Sequence, residues 1–386
     1  MENNMALILT NCRIFTGSII LQGQALQIED GKIVKLMAQS DISADDNAID
    51  LHGHLLAPGF IDTQVNGGAG VLFNNSPTSN AIKTIGEAHR TFGTTGYLPT
   101  LISDDFETMQ LAIDATKQAL ADKIPGLLGV HLEGPFLNTA RKGVHPEEKL
   151  RNPNSDSLQL LKQVAQLGTS MVTLAPEVVP EGFIKSLCEA GVVVSMGHSD
   201  ASYDCVIQAV EDGASGITHL FNAMSPLTSR EPGVVGAALD DPHSWCGIIV
   251  DGHHVHPATL KTAIRAKAKG KMILVSDAVQ TVGAAGVEFD LAGQSVFRKN
   301  GKVTTADGTL AGSDLDMASA VRNTVQMLGI EIEEALRMAS LYPAQFLSLD
   351  HQLGRIAENY RADLVLLDDD FQVVETWISG EACATL

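Results

Sequence analysis

Residues 192–222 read VVVSMGHSDASYDCVIQAVEDGASGITHLFN. An apolar, β-branched run over 192–195 breaks at Gly197 and delivers His198. A helical pattern follows over 201–211, and a second apolar run over 216–219 ends in His219. Strand, helix and strand in this order make a parallel unit, with both histidines at the same end of one sheet.

The unit repeats outward in both directions. Apolar runs at 55–61, 96–101, 127–132, 171–174, 246–250 and 272–275 bring the strands to eight. Helical patterns over 79–91, 105–119, 156–167, 181–190 and 257–268 separate most of them, and two more helices follow near 314–328 and 332–340. This alternation predicts an α/β fold, a TIM-like (β/α)8 barrel, with a doubly wound open sheet as the competing arrangement.

Both flanks have a different texture. Short strand-like runs at 6–9, 18–21, 25–29 and 32–36 open the chain, with Asp30-Gly31 as a hairpin turn. Similar runs at 362–367 and 373–378 surround the Asp-rich turn 368–370 near its end. The expected organisation is a small β-sandwich built from both termini, residues 1–56 and 358–386, around a barrel of residues 57–357. Residues 287–305, with Asn300-Gly301 at a turn, interrupt the alternation as a β-hairpin inserted after the eighth strand.

Composition excludes several function classes. The 386 residues are 45% hydrophobic and 19% charged, which suits a well-filled globular core. With 26 basic against 46 acidic residues the net charge is −20, and no basic cluster offers a nucleic-acid face. No apolar stretch approaches the roughly 20 residues of a membrane span, and the first residues lack the basic start of an export signal. The five cysteines are scattered and odd in number, which points to reduced thiols and a cytoplasmic protein. A negatively charged protein repels an anionic substrate, so such a substrate would need local cations.

Chemistry-capable residues follow six of the eight strands. They are Asp62, Gln64 and Asn66 after the first, Glu133 after the third and His198 after the fifth. His219 and Asn222 follow the sixth, Asp251, His253 and His254 the seventh, and Asp277 the eighth. The carboxyl-terminal rim of a parallel barrel gathers such residues at one mouth. A lone buried histidine is more often a hydrogen-bonded core residue than a ligand. Glu133, His198 and His219 together make a ligand set for one divalent metal, with a position left open for water. Zn2+ suits these donors, and Fe2+ or Co2+ also fits them. Such a metal lowers the pKa of its water to about 7 and makes hydroxide available.

Asp277 could simply cap a loop; beside a metal, acid/base work is the better expectation. His145, in the loop Arg141-Lys142-Gly143-Val144-His145-Pro146, could donate a hydrogen bond to a substrate carbonyl. Arg230 lies in Ser229-Arg230-Glu231-Pro232-Gly233 and could equally form a surface ion pair. Asp251 could be a structural hydrogen-bonder, and His253 and His254 could be packing residues.

In chain order the sequence carries PGFID, HLEGPF, LAPE, GHS, THLFNAM, REPG, DGHHV and SDA. Together these motifs resemble the N-acetylglucosamine-6-phosphate deacetylases of the amidohydrolase superfamily over nearly the whole chain. The resemblance implies hydrolysis of the acetamide of a phosphorylated amino sugar in amino-sugar catabolism. It implies Glu133, His198 and His219 as metal ligands, Asp277 as catalytic acid/base and His145 as the carbonyl-polarising residue. Val144, Asn222, Ala223, Asp251 and the Leu310-Ala311-Gly312 loop correspond to substrate contacts. Arg230 and His254 correspond to phosphate contacts, some of them shared across a homodimer interface. Where many superfamily members carry His-x-His for a second metal, this chain has Gln64-Val65-Asn66. That departure implies one metal, with Gln64 reaching it through water, orienting its ligands, or serving simply as a loop hydrogen-bonder. The alternatives are a related amidohydrolase acting on another amide, and a non-catalytic assembly protein of the same fold.

Overall fold

The computed structural model describes residues 6–291 and 293–383. At its centre eight parallel strands pair in chain order. They are Phe60–Val65, Thr94–Ile102, His131–Glu133, Met171–Leu174, Val193–Met196, Gly216–Ile217, Trp245–Ile248 and Met272–Leu274. The first strand and the segment after the eighth meet through a parallel bridge between Val65 and Ala278. The sheet therefore closes into a barrel, and the open doubly wound alternative falls away. Its strands are buried along nearly their whole length, as a sheet covered by helices outside and filled by side chains inside must be.

Side chains stitch the closing seam. The Ser276 backbone N–H donates to Asp62 Oδ1 at 3.2 Å, and the Ser276 hydroxyl donates to the Gln64 carbonyl at 3.3 Å. The Asn66 N–H donates to the Ala278 carbonyl at 2.8 Å. Burial pushes the Asp62 carboxyl up to about 7. The aspartate of PGFID is thus a barrel-closing residue.

The expected first strand, 55–61, is two strands. Leu55–Pro58 belongs to a six-stranded sheet, pairing antiparallel with Leu364–Leu367 and parallel with Arg13–Phe15. Gly59 breaks the run, and Phe60 starts the barrel. A Cβ at Gly59 would stand 2.2 Å from Thr95 Oγ1, so the crossing from one sheet to the other leaves no room for a side chain. Gly59→Ala is expected to cost about 1–3 kcal/mol through overpacking. The check is the midpoint of chemical denaturation, and an unchanged midpoint would refute this account of the motif.

A four-stranded sheet of Lys32–Ala38, Gln24–Glu29, Leu7–Thr10 and Asn47–Asp50 packs on the six-stranded one. Leu9, Leu26, Ile33, Leu56, Leu364 and Trp377 lie in their shared core. The described segments before and after the barrel therefore meet in one core. The inserted hairpin is larger than expected, because Glu288–Leu291, Gln294–Lys299 and Lys302–Thr305 are joined by a fourth strand, Leu310–Ser313. Asn300 and Gly301 take φ of 52° and 74°, the turn geometry that an Asn-Gly pair favours. The helix Gly233–Asp240, between the sixth and seventh strands, was not expected. It is apolar and buried on almost every side, so it carries no amphipathic period to read.

Candidate metal centre and active site

Glu133 ends the third strand, and His198 and His219 follow the fifth and sixth. His198 and His219 adopt φ of 49° and 33°, left-handed values rare for such side chains. These kinks belong with a functional rim, where strained backbone is retained for the side chain it aims. The three residues are buried, and their ligand atoms lie within 4.8 Å of one another. His198 Nδ1–H donates to the Arg141 carbonyl at 2.9 Å, which leaves its Nε2 as a bare lone pair. That Nε2 stands 3.0 Å from His219 Nε2 and 3.3 Å from Glu133 Oε1. Burial opposes charge on Glu133, but the His198 and His219 imidazoles beside it hold its carboxyl well below the usual range. Two imidazole nitrogens and a carboxylate converging in a buried pocket fit a divalent cation.

Beneath these ligands lies a layer of hydroxyls. His131 sits between Thr100 Oγ1 at 3.1 Å and Thr173 Oγ1 at 2.7 Å, and Thr218 bonds both Thr173 and Ser195. Burial pushes His131 down to about 4, so it is a neutral member of this layer.

Asp277 follows the eighth strand at φ 51° and lines the same cavity as Glu133, His198 and His219. Its Oδ1 accepts from Asn66 Nδ2 at 2.8 Å and Gln64 Nε2 at 3.1 Å. Gln64 Nε2 also reaches both Glu133 oxygens at 3.2 Å. Its amide nitrogen, which has no lone pair for a metal, thus bridges the two carboxylates. Burial first, and the negative charge of Glu133 second, push Asp277 up to about 6.

The cavity measures about 520 Å³, within the range of small-molecule sites. Val144, His145, Asn222, Ala223, His254, Leu310 and Gly312 line it together with Glu133, His198 and His219. His145 packs edge-on against His198, with ring centroids 4.4 Å apart, and burial holds it well below its ordinary value and neutral. His254 Nδ1 binds Asp251 Oδ2 at 2.6 Å, which leaves Nε2 for the cavity. Asp251 lies off the cavity wall and acts by holding that ring. Ala311 faces the rim core, because side chains alternate along its strand. Arg230 is exposed on a turn and lies outside the cavity of its own chain.

Two contributors were missing from the sequence-based site. Glu177, after the fourth strand, accepts from Ser199 Oγ at 2.7 Å, Asp200 N at 2.6 Å and Asn138 Nδ2 at 2.9 Å. It clamps the turn carrying His198 to the loop carrying His145. Ser103, after the second strand, bonds His145. Their signal was positional, since strands two and four were the ones left without a rim residue.

Comparison with known proteins agrees with this geometry. The Amidohydrolase family matches residues 55–383, and the NagA composite domain matches residues 7–56. The chain is 45% identical to an N-acetylgalactosamine-6-phosphate deacetylase of Shewanella sp. (strain ANA-3), covering 98% of this chain and 96% of that one. It is 38% identical to the N-acetylglucosamine-6-phosphate deacetylase of Bos taurus, covering 96% and 94% respectively. The crystal structure of N-acetylglucosamine-6-phosphate deacetylase from Pasteurella multocida superposes with a TM-score of 0.96 at 38% identity, covering 99% of this chain and all of that one.

Proposed function

Since the chain belongs to the Amidohydrolase family, we propose that it hydrolyses N-acetyl-D-glucosamine 6-phosphate to D-glucosamine 6-phosphate and acetate. The observation that carries this reading is the cavity whose floor is Glu133, His198 and His219 and whose wall is Asp277. A divalent cation on that floor, for which we favour Zn2+, would supply an acidified water and polarise the acetyl carbonyl. Asp277 takes the proton of the attacking water and passes it to the leaving nitrogen, its pKa lying where both transfers are feasible. His145 donates a hydrogen bond to the carbonyl oxygen as negative charge develops there. His254 and Arg230 hold the phosphate, whose planar recognition by a guanidinium offsets the repulsion of a protein with net charge −20.

Arg230 does not line the cavity of its own chain and would reach a bound phosphate from a neighbouring copy. This supports a homodimer with shared sites, as does Leu227, 57% exposed on the same turn. Its cysteines are unpaired and no described helix is long and apolar enough to cross a membrane, which supports a cytoplasmic place in amino-sugar catabolism.

The 45% identity to an N-acetylgalactosamine-6-phosphate deacetylase favours a second reading, the C4 epimer as substrate. Acetate release from both sugar phosphates, measured side by side, separates the two. A higher kcat/KM on the glucosamine derivative supports the first reading, and a reversal transfers the assignment to the epimer. Release from neither sinks the deacetylase reading. Arg230→Ala is expected to lower kcat/KM on the phosphorylated substrate about 10–100-fold, the worth of a charge-assisted hydrogen bond. Unphosphorylated N-acetylglucosamine should be unaffected. Equal losses on both would remove the phosphate assignment.

A further inference from the structure

His145 can serve as a carbonyl-polarising donor only if a proton sits on the ring nitrogen that faces the substrate. The inference below rests on that role for His145. Ser103 is the first residue past the second barrel strand and is 2% exposed. Its backbone N–H donates to His145 Nδ1 at 3.2 Å, and its Oγ lies 2.8 Å from the same nitrogen.

A backbone amide is a donor and nothing else. Facing it, Nδ1 must present its lone pair. An Nδ1–H tautomer would set N–H against N–H inside a buried site, and so would an imidazolium. The ring proton therefore sits on Nε2. The Ser103 hydroxyl completes the arrangement by donating to the same nitrogen. Gly134, at φ +93°, makes room for it, since a Cβ there would stand 2.2 Å from Ser103 Oγ. One residue thus supplies two donors to one nitrogen, and the neighbouring strand end is bare to admit them.

We propose that Ser103 is a positioning residue that locks His145 as its neutral Nε2–H tautomer. The locked ring donates a hydrogen bond to the developing oxyanion and has no lone pair on the cavity side. It cannot compete with Asp277 for the proton of the attacking water. Proton transfer and oxyanion binding are thereby divided between two groups.

Long-range 1H–15N spectra of zinc-loaded protein with 15N-labelled histidine test this directly, with the His145 signals identified by their loss in His145→Gln. The expected result is a pyridine-type Nδ1 and a pyrrole-type Nε2. In Ser103→Ala the backbone donor remains and the hydroxyl is lost. Its kcat should fall about 3–10-fold, the worth of one neutral hydrogen bond. KM and metal content should hold, and the Nδ1 signal should shift as that nitrogen loses one of its two donors while staying pyridine-type. A wild-type ring protonated at Nδ1 overturns the proposal, as does a Ser103→Ala protein with wild-type kcat and wild-type spectra. Should that variant fail to fold, the wild-type spectra decide alone. Absence of acetate release by the wild type would sink the deacetylase reading instead, and the spectra would still report the tautomer.

Discussion

Asp277→Asn is expected to lower turnover roughly a thousandfold while leaving the metal content of the protein unchanged. Both hydrogen bonds that the carboxylate accepts, from Gln64 and Asn66, fall on Oδ1. The side-chain oxygen of asparagine can accept both, so the local geometry survives. What is lost is the ability to hold and return a proton. Burial and the charge of Glu133 place Asp277 at about 6, which lets one group act as base and then as acid. An amide has no such cycle. Metal analysis of the purified variant beside its acetate-release kcat makes the check. A variant within tenfold of wild type would move the proton-transfer role elsewhere.

Removing the metal should abolish acetate release altogether and lower thermal stability. Two imidazole lone pairs and a carboxylate share one buried pocket, and a cation is what makes that arrangement favourable. A metal at a thousandfold its dissociation constant contributes about 4 kcal/mol to folding, so the chelated protein should melt well below the loaded one. Separate reloading with Zn2+, Fe2+ and Co2+ should restore both properties and rank the metals. Full activity in protein with substoichiometric metal would refute the assignment of Glu133, His198 and His219.

The barrel was legible because a buried parallel strand leaves a strong mark, a short apolar run ended by a polar residue at a glycine or turn. His198 and His219 could be found that way. The break at Gly59 was not legible, since LLAP and FID read as one apolar run whichever sheet each half joins. The helix Gly233–Asp240 lacked a polar face. Gln64 was visible as an amide where an imidazole was expected, but its bridging of Glu133 and Asp277 depends on distances between three different strand ends. Ser103 is one serine among many in the chain. Only the fold places its backbone N–H against His145, and main-chain donors carry no residue signature.

The pairing of Leu55–Pro58 with Leu364–Leu367 has a consequence for biosynthesis. The first of these strands leaves the ribosome 309 residues before the second, from Leu55 to Leu364. At about 5–20 residues per second the interval is roughly tens of seconds. Throughout it, an apolar strand leading directly into the barrel has an uncovered edge, the kind of surface on which nascent chains associate. The small sheet that fastens the barrel's first strand is therefore completed by a segment translated only after the whole barrel. Chaperones that shield nascent chains have their clearest task here, and damage to Leu364–Leu367 would be felt at the barrel's beginning.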